Sequence, residues 1–260
     1  MSLPQLYIIG SGTALPSVER DNTSLAVSSS GGLWLVDCGG SAYQKLLRLN
    51  LDPLLLRGVF LTHNHPDHIY GLPALLFHLK LAGWNDDGPA LGIYGNSPTL
   101  VMAQRILAAY EIDLWQPPII WHELPVTGEY KLAQDSELSW FSTPVEHSRP
   151  TLAVKIIVRE IGFTLVYSAD TGPCENLVRF AAGADLLLHE CTAVEPLEGH
   201  STPQQVGEMA AQAQVKRLLV IHYDPRYIMP MDEVLTLIRQ GGFASEIAFA
   251  EDGMILPTGR

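Results

Sequence analysis

Cysteine is scarce in this chain of 260 residues. There are three, Cys38, Cys174 and Cys191, odd in number, far apart and in no CxxC pair. That spacing excludes a disulfide framework and a thiolate zinc site, and it suits a reducing compartment. No apolar run approaches the length a membrane span needs, so no membrane partner is expected. The first residues, Met1-Ser2-Leu3-Pro4-Gln5, lack the basic start and long apolar core of a signal peptide. Together these features point to the cytoplasm. Basic charge is also short: 16 Lys and Arg against 28 Asp and Glu, a net charge of -12. That balance weighs against broad nonspecific nucleic-acid binding, which depends on cations neutralising phosphates. A small anionic substrate stays open, because bound divalent cations would reverse the local field. Repeats, low-complexity tracts and long linkers are missing too. The length suits one large core, and residues 1–260 read as a single domain.

What the chain does have is a succession of short apolar runs bounded by Gly, Pro or polar residues, as strands are. They are Leu6–Ile9, Leu33–Val36, Gly58–Leu61, Leu138–Ser142, Leu152–Val158, Phe163–Tyr167, Asp185–Leu188 and Leu218–Ile221. Helix-like segments lie between them: Tyr43–Leu49, Ile69–Leu81, Pro98–Tyr110, Glu175–Ala181, Pro203–Ala213 and Met231–Arg239. Pro98 and Pro203 suit a first helical turn, with Ser97 and Thr202 as the caps before them. Strand pairs open each half and strand–helix alternation follows. The pattern predicts an α/β chain with two mixed sheets face to face and helices outside, a four-layer αββα sandwich.

Polar residues sit where several strand runs end: Asp37, His63, Asp170, His189-Glu190 and His222. Ligands collect at strand ends in layered α/β folds, and so many in one chain argue for a shared cleft. The densest cluster is His63-Asn64-His65-Pro66-Asp67-His68. In extended chain, side chains at i and i+2 point the same way, so His63 and His65 can grip one ion. Pro66 breaks that line, and a helix starting near His68 swings Asp67 and His68 toward a second. Imidazole and carboxylate suit zinc first, with manganese or iron also compatible. Closing both ions needs more ligands. His147, Asp170 and His222 supply them: His63, His65 and His147 on one ion, Asp67, His68 and His222 on the other, and Asp170 bridging. A bridging water or hydroxide then has room, the open position a catalytic metal site keeps.

With these residues in view, the chain resembles the metallo-β-lactamase superfamily, whose HxHxDH motif stands here as His63–His68. More narrowly it is similar to the ribonuclease Z branch and its phosphodiesterase relatives. The matching stretches are Ala169-Asp170-Thr171-Gly172-Pro173-Cys174, His189-Glu190-Cys191-Thr192, Gly199-His200-Ser201-Thr202 and His222-Tyr223-Asp224-Pro225-Arg226-Tyr227. The resemblance implies the αββα metallo-β-lactamase fold and metal positions on the same seven residues. It also implies a dinuclear metal-dependent hydrolase, a phosphodiesterase using a metal-bridging hydroxide. Asp67 would orient the nucleophile. His200 would donate a proton to the leaving oxygen or hold a phosphate oxygen, oriented by Glu190. Asp37 is expected to support a metal ligand by hydrogen bond rather than bind metal itself. Arg149 and Arg226 are candidate anion contacts, with surface ion pairs as the plain alternative for each. His78, His122 and His189 read as structural, and Asp135, Asp185 and Asp86-Asp87 as turn or loop residues.

One feature of the ribonuclease Z branch is missing. That family clamps transfer RNA with a long Gly- and Lys-rich arm between the third histidine and the bridging aspartate. Here 22 residues separate His147 from Asp170, and two strand-like runs fill them. The expected substrate is therefore a phosphodiester smaller than transfer RNA. Transfer-RNA 3′ processing is the main alternative, followed by hydrolysis of a sulfate ester, thioester or lactam, and last by a non-catalytic metal-binding module. Members of the family often dimerise, so a homodimer is in keeping with the resemblance, and Leu72–Leu81 could serve a partner as well as the core.

Overall fold

Alternation along the strands decides the architecture. In β1 (Gln5–Gly10), Leu6 and Ile8 belong to one buried cluster while Tyr7 and Ile9 belong to another. Successive strand side chains point to opposite faces, so a strand feeding two cores is covered on both sides. The computed structural model describes residues 3–112 and 116–258, so Met1 and Ser2 of the N-terminal segment lie outside it.

One seven-stranded sheet contains β1, β2 (Ser24–Ser29), β3 (Gly32–Val36), β4 (Leu56–Phe60), β5 (Leu91–Gly95) and β6 (Ile119–Glu123) in sequence order. The other, also of seven strands, runs through β7 (Tyr130–Gln134), β8 (Leu138–Val145), β9 (Thr151–Val158), β10 (Phe163–Tyr167), β11 (Leu186–Glu190), β12 (Arg217–Ile221) and β13 (Glu246–Phe249). The last strand, β14 (Ile255–Pro257), crosses back to pair antiparallel with β1. Each sheet opens antiparallel and continues parallel, from β3 to β6 in the first and from β10 to β13 in the second. The sheets share an inner core in which Trp34 of β3 stacks on Trp140 of β8 with ring centroids 5.0 Å apart.

Helices cover the outer faces. The first sheet carries α1 (Ala42–Arg48), α3 (Leu72–Leu81) and α4 (Ser97–Ala109), through Leu46, Leu75, Leu76, Leu79, Ala103 and Leu107. The second carries α5 (Glu175–Phe180), α6 (Pro203–Gln212) and α7 (Met231–Gln240), through Leu177, Val206, Ala210, Val234 and Ile238. The layers are α, β, β, α, as the sequence pattern predicts. Among the described residues no helix is long and apolar enough to cross a membrane.

Three local expectations need correction. Ile69–Leu81 is not one helix: a short α2 (Pro66–Ile69) ends before Gly71, and α3 starts at Leu72. Gly71 sits so close to residues 38–40 that an added Cβ would stand 2.3 Å from the Gly40 carbonyl oxygen, and its N–H donates to the Cys38 carbonyl at 2.8 Å. The break is therefore made by a distant strand end. The cap of α4 is Asn96, whose side chain accepts from the Thr99 N–H at 3.1 Å, and Ser97 is already helical. Thr202 does cap α6, in a reciprocal box with Gln205. Finally, the apolar side of α3 is buried in the core, with Leu72, Leu75, Leu76 and Leu79 all at or below 1% exposure, so it is not free for a partner.

Candidate metal centre

The parallel strands β3, β4, β10, β11 and β12 end on the same side of the sandwich, and the polar residues noted above follow them. Asp37 comes after β3, Thr62-His63 after β4, Asp170 after β10, Glu190 closes β11 and His222 follows β12. Each strand must turn sharply there without leaving the core. Asp37, Ala169 and His222 do so with φ of 62°, 54° and 51°. Left-handed backbone costs a residue with a Cβ energy, and it persists where surrounding structure holds it in place.

These turns bring seven side chains together as two sets sharing one member. His63, His65, His147 and Asp170 form the first, and Asp67, His68, Asp170 and His222 the second; within each, one donor atom per residue lies within 4.8 Å of the others. In the first, His65 Nδ1 stands 3.1 Å from His63 Nε2 and 3.0 Å from His147 Nε2. In the second, Asp67 Oδ2 is 3.2 Å from His68 Nε2 and 3.5 Å from His222 Nε2. Asp170 lies between: Oδ2 is 3.9 Å from His63 Nε2 and 3.6 Å from His68 Nε2, while Oδ1 is 3.6 Å from His222 Nε2.

The outward nitrogens of these rings reveal which atoms face inward as lone pairs. His147 Nδ1 donates to the Gly199 carbonyl at 2.7 Å, so Nε2 is the bare nitrogen. His68 Nδ1 donates to Asp37 at 2.8 Å, both groups being fully buried, and its Nε2 has no hydrogen-bond partner. That lone pair looks onto two carboxylates. The Oδ1 atom of Asp170 is likewise buried without a partner. Lone pairs and carboxylates converging in a buried space repel unless a proton or cation lies between them. Three nitrogens with an oxygen, beside two nitrogens with two oxygens, is a donor chemistry that divalent zinc accepts. The residues fit divalent metal.

Charge coupling runs through the same groups. Burial alone would raise the Asp67 carboxyl, but the His222 and His68 imidazoles close beside it outweigh that and hold Asp67 well below the usual carboxylate range. Burial likewise penalises charge on Asp170, and the surrounding imidazoles, His222 and His68 first, reverse the direction. His63 goes the other way: burial, with His68 next to it, keeps its ring neutral, the form that binds metal.

His200 stands on the rim, its ring centroid 4.9 Å from that of His147 and 6.4 Å from that of His222. Its Nδ1 approaches Glu190 Oε1 at 3.5 Å, a long contact. Glu190 itself is fully buried and fixed by the N–H groups of Ser201 at 2.7 Å and Thr192 at 2.8 Å. Burial lowers the His200 pKa, but the Glu190 carboxylate more than compensates and the net direction is up. The other histidines lie elsewhere. His122 stacks on Tyr94 with centroids 4.2 Å apart, His78 packs on Tyr43 and His189 is fully buried within β11. Asp135, Asp185 and Asp86 hold turns or surface lysines.

Three partners of the site receive no role from motif reading. Thr62 Oγ1 bonds Asp37 at 2.9 Å and His63 Nδ1 at 3.0 Å, joining the two sets. Thr192 Oγ1 meets His222 Nδ1 at 2.8 Å. Gly199, at φ 83°, comes so near that a Cβ would stand 2.9 Å from His147 Nδ1. Thr62 adjoins His63, and Thr192 and Gly199 stand within the matching stretches around Glu190 and His200, which is the signal the sequence offers.

Comparison with known proteins bears on the same residues. Positions 34–223 match the family model of the β-lactamase superfamily domain. Ribonuclease Z of Ignicoccus hospitalis is 28% identical over 87% of this chain and 90% of its own length. The crystal structure of the short form of human tRNase Z aligns with a TM-score of 0.77 at 25% identity, covering 98% of this chain and 100% of that one. A metallo-β-lactamase fold protein of Bacillus subtilis shares the fold at a TM-score of 0.80, with 21% identity over 97% of this chain and 98% of the other.

Proposed function

The chain belongs to the β-lactamase superfamily, and from that membership we propose that it is a metal-dependent hydrolase of phosphodiesters, built as one catalytic domain over residues 1–260. The observation that carries this reading is the convergence of two donor sets on a shared Asp170. We assign His63, His65 and His147 to one divalent ion, Asp67, His68 and His222 to a second, and Asp170 to both, with zinc as the best match to the donors. Bound there, such ions supply positive charge for a phosphoryl group and a lowered pKa for water.

The remaining work falls to the chain's own groups. A phosphodiester is placed with its bridging oxygen toward His200. Water adds to phosphorus, one P–O ester bond breaks, and a phosphomonoester and an alcohol leave. His200 gives its proton to the departing oxygen, and Glu190, clamped by two backbone N–H groups, sets the ring's position. Asp67, held as an anion by its two histidine neighbours, orients the attacking water, whose proton passes to solvent while His200 regains one from solvent after the alcohol leaves. The raised pKa of His200 supports its share of the work, since an acid must carry a proton near neutral pH. Three free, buried cysteines keep the cytoplasmic reading consistent.

The names of the relatives favour a second reading, transfer-RNA 3′ processing. The first test compares a chromogenic phosphodiester, an aryl sulfate, a thioester and a β-lactam, using zinc-loaded protein with its metal content measured in parallel. Turnover of the phosphodiester above the other three supports the proposal. A preference for any of them sinks it, as does protein that refuses divalent metal.

A further inference from the structure

Granted phosphodiester hydrolysis, the mouth of the site restricts what can enter. Residues 146–150 and 191–201 flank it and are locked together. Besides the Gly199 carbonyl on His147, a Cβ at Gly199 would stand 3.1 Å from the Ser148 nitrogen. The second loop is also pinned from within: Ala193 N–H donates to the Ser201 carbonyl at 3.2 Å, and His200 N–H to the Leu197 carbonyl at 3.2 Å. Between these anchors its crown stands in solvent, with Val194 55% and Leu197 56% exposed. Two aliphatic side chains held in water beside a polar centre form a surface that gains from being covered.

The charges around them are sparse and mostly negative. Glu146, Glu195 and Glu198 are exposed on the two loops, against Arg149 alone. Arg149 lies two residues past His147, is exposed, and has no carboxylate partner among the described residues. Arg226 is different: Glu19 stands 2.7 Å from it and Asp224 3.1 Å, so its guanidinium is already occupied by carboxylates. The residues between His147 and Asp170 are consumed by β9 and β10, which leaves no arm there. A nucleic-acid strand is held by several cations along its phosphates. One guanidinium among three carboxylates offers no such track.

We infer that this site takes compact phosphodiesters carrying an aromatic or aliphatic ester group, which lies on Val194 and Leu197 while Arg149 contacts the phosphodiester anion, and that it does not take an RNA strand. Arg149 is thus a substrate-binding residue, and the crown of the 191–201 loop sets specificity.

The test uses the full-length, metal-loaded protein with bis(p-nitrophenyl) phosphate, methyl p-nitrophenyl phosphate and a precursor transfer RNA bearing a 3′ trailer. The bis-aryl ester should have the highest kcat/KM and the RNA should not be cleaved. Replacing one exposed aliphatic contact, by Leu197→Asp or Val194→Asp, should raise KM for the bis-aryl ester about tenfold with kcat moving far less. Arg149→Ala should raise KM for both diesters by about tenfold or more, with Arg149→Lys recovering part of it. Phenyl phosphate titrated by calorimetry should bind more tightly than inorganic phosphate, and lose that margin in Leu197→Asp. Cleavage of the precursor at a defined 3′ site would overturn the inference and leave phosphodiester hydrolysis standing. Unmoved KM in the crown and Arg149 variants would overturn it too. Failure on every phosphodiester, with metal bound, would instead remove the hydrolysis reading beneath it.

Discussion

The two donor sets share a carboxylate and differ in almost everything else. His63, His65 and His147 offer three neutral imidazoles and no acid of their own, and two of the rings are partly open to solvent. Their outward nitrogens rest on a hydroxyl and a backbone carbonyl. Asp67, His68 and His222 are buried throughout, contribute a carboxylate, and have His68 tied to a second, fully buried carboxylate at Asp37. Asp37 pushes electron density into the His68 ring and fixes which nitrogen faces inward. The buried set should therefore hold its ion more tightly, and the open one should exchange faster and face the substrate. On the proposed assignment, the site divides its labour: one half anchors and the other half works.

The largest expected effect tests what the halves share. Asp170→Ala should leave less than about one tightly bound ion per chain and reduce kcat at least about a thousandfold, because the charge both halves depend on is gone. Elemental analysis beside turnover would show it, and retention of two ions would refute the bridging role. Next comes the contrast itself. His65→Ala should keep one ion while His68→Ala keeps neither firmly, and equal losses in the two variants would erase the proposed asymmetry. Smaller again, Asp37→Ala should weaken metal affinity by about 10- to 100-fold, the usual consequence of removing a partner behind a metal-bound histidine. Thr192→Val, which removes only a hydroxyl from His222, should cost less than Asp37→Ala in the same competition assay with a chelator. Last, His200→Ala should leave metal content unchanged while slowing turnover of a diester with a poor leaving group by about 100-fold. An aryl ester, whose leaving group needs little help, should be affected less.

Much of this was legible because the proposed ligands lie where local chemistry is loud. His63 to His68 stand side by side, and Asp170 and His222 each end an apolar run, so strand-end logic finds them without a structure. Continuous apolar runs likewise make the sheets readable from β1, β3, β10 and β11. What escaped was decided across the chain. The break at Gly71 comes from carbonyls of residues 38–40, and nothing between Ile69 and Leu81 announces it. The strands β2, β5, β6, β7, β13 and β14 escaped as well, being short, with serine, glycine, proline or charge inside them, and their partners supply the hydrophobic context. Thr62 and Thr192 look like ordinary threonines until the fold aims them at a ring nitrogen. Arg149 and Arg226 were indistinguishable in sequence, and Glu19, more than 200 positions before Arg226, is what separates them.

The left-handed turns at Asp37 and His222 have a consequence for how this molecule can age and be altered. Glycine would relax either backbone, yet glycine carries neither carboxylate nor imidazole, so the usual remedy for such a turn is closed off. The strain of about 1–3 kcal/mol at each position must be restrained by the packed strands beneath. A substitution deep in the sandwich, far from any ligand, can then let a turn relax and misdirect a donor while the fold survives. Damage to this centre need not begin at the centre, and breeding for greater activity would do well to firm the inner core first.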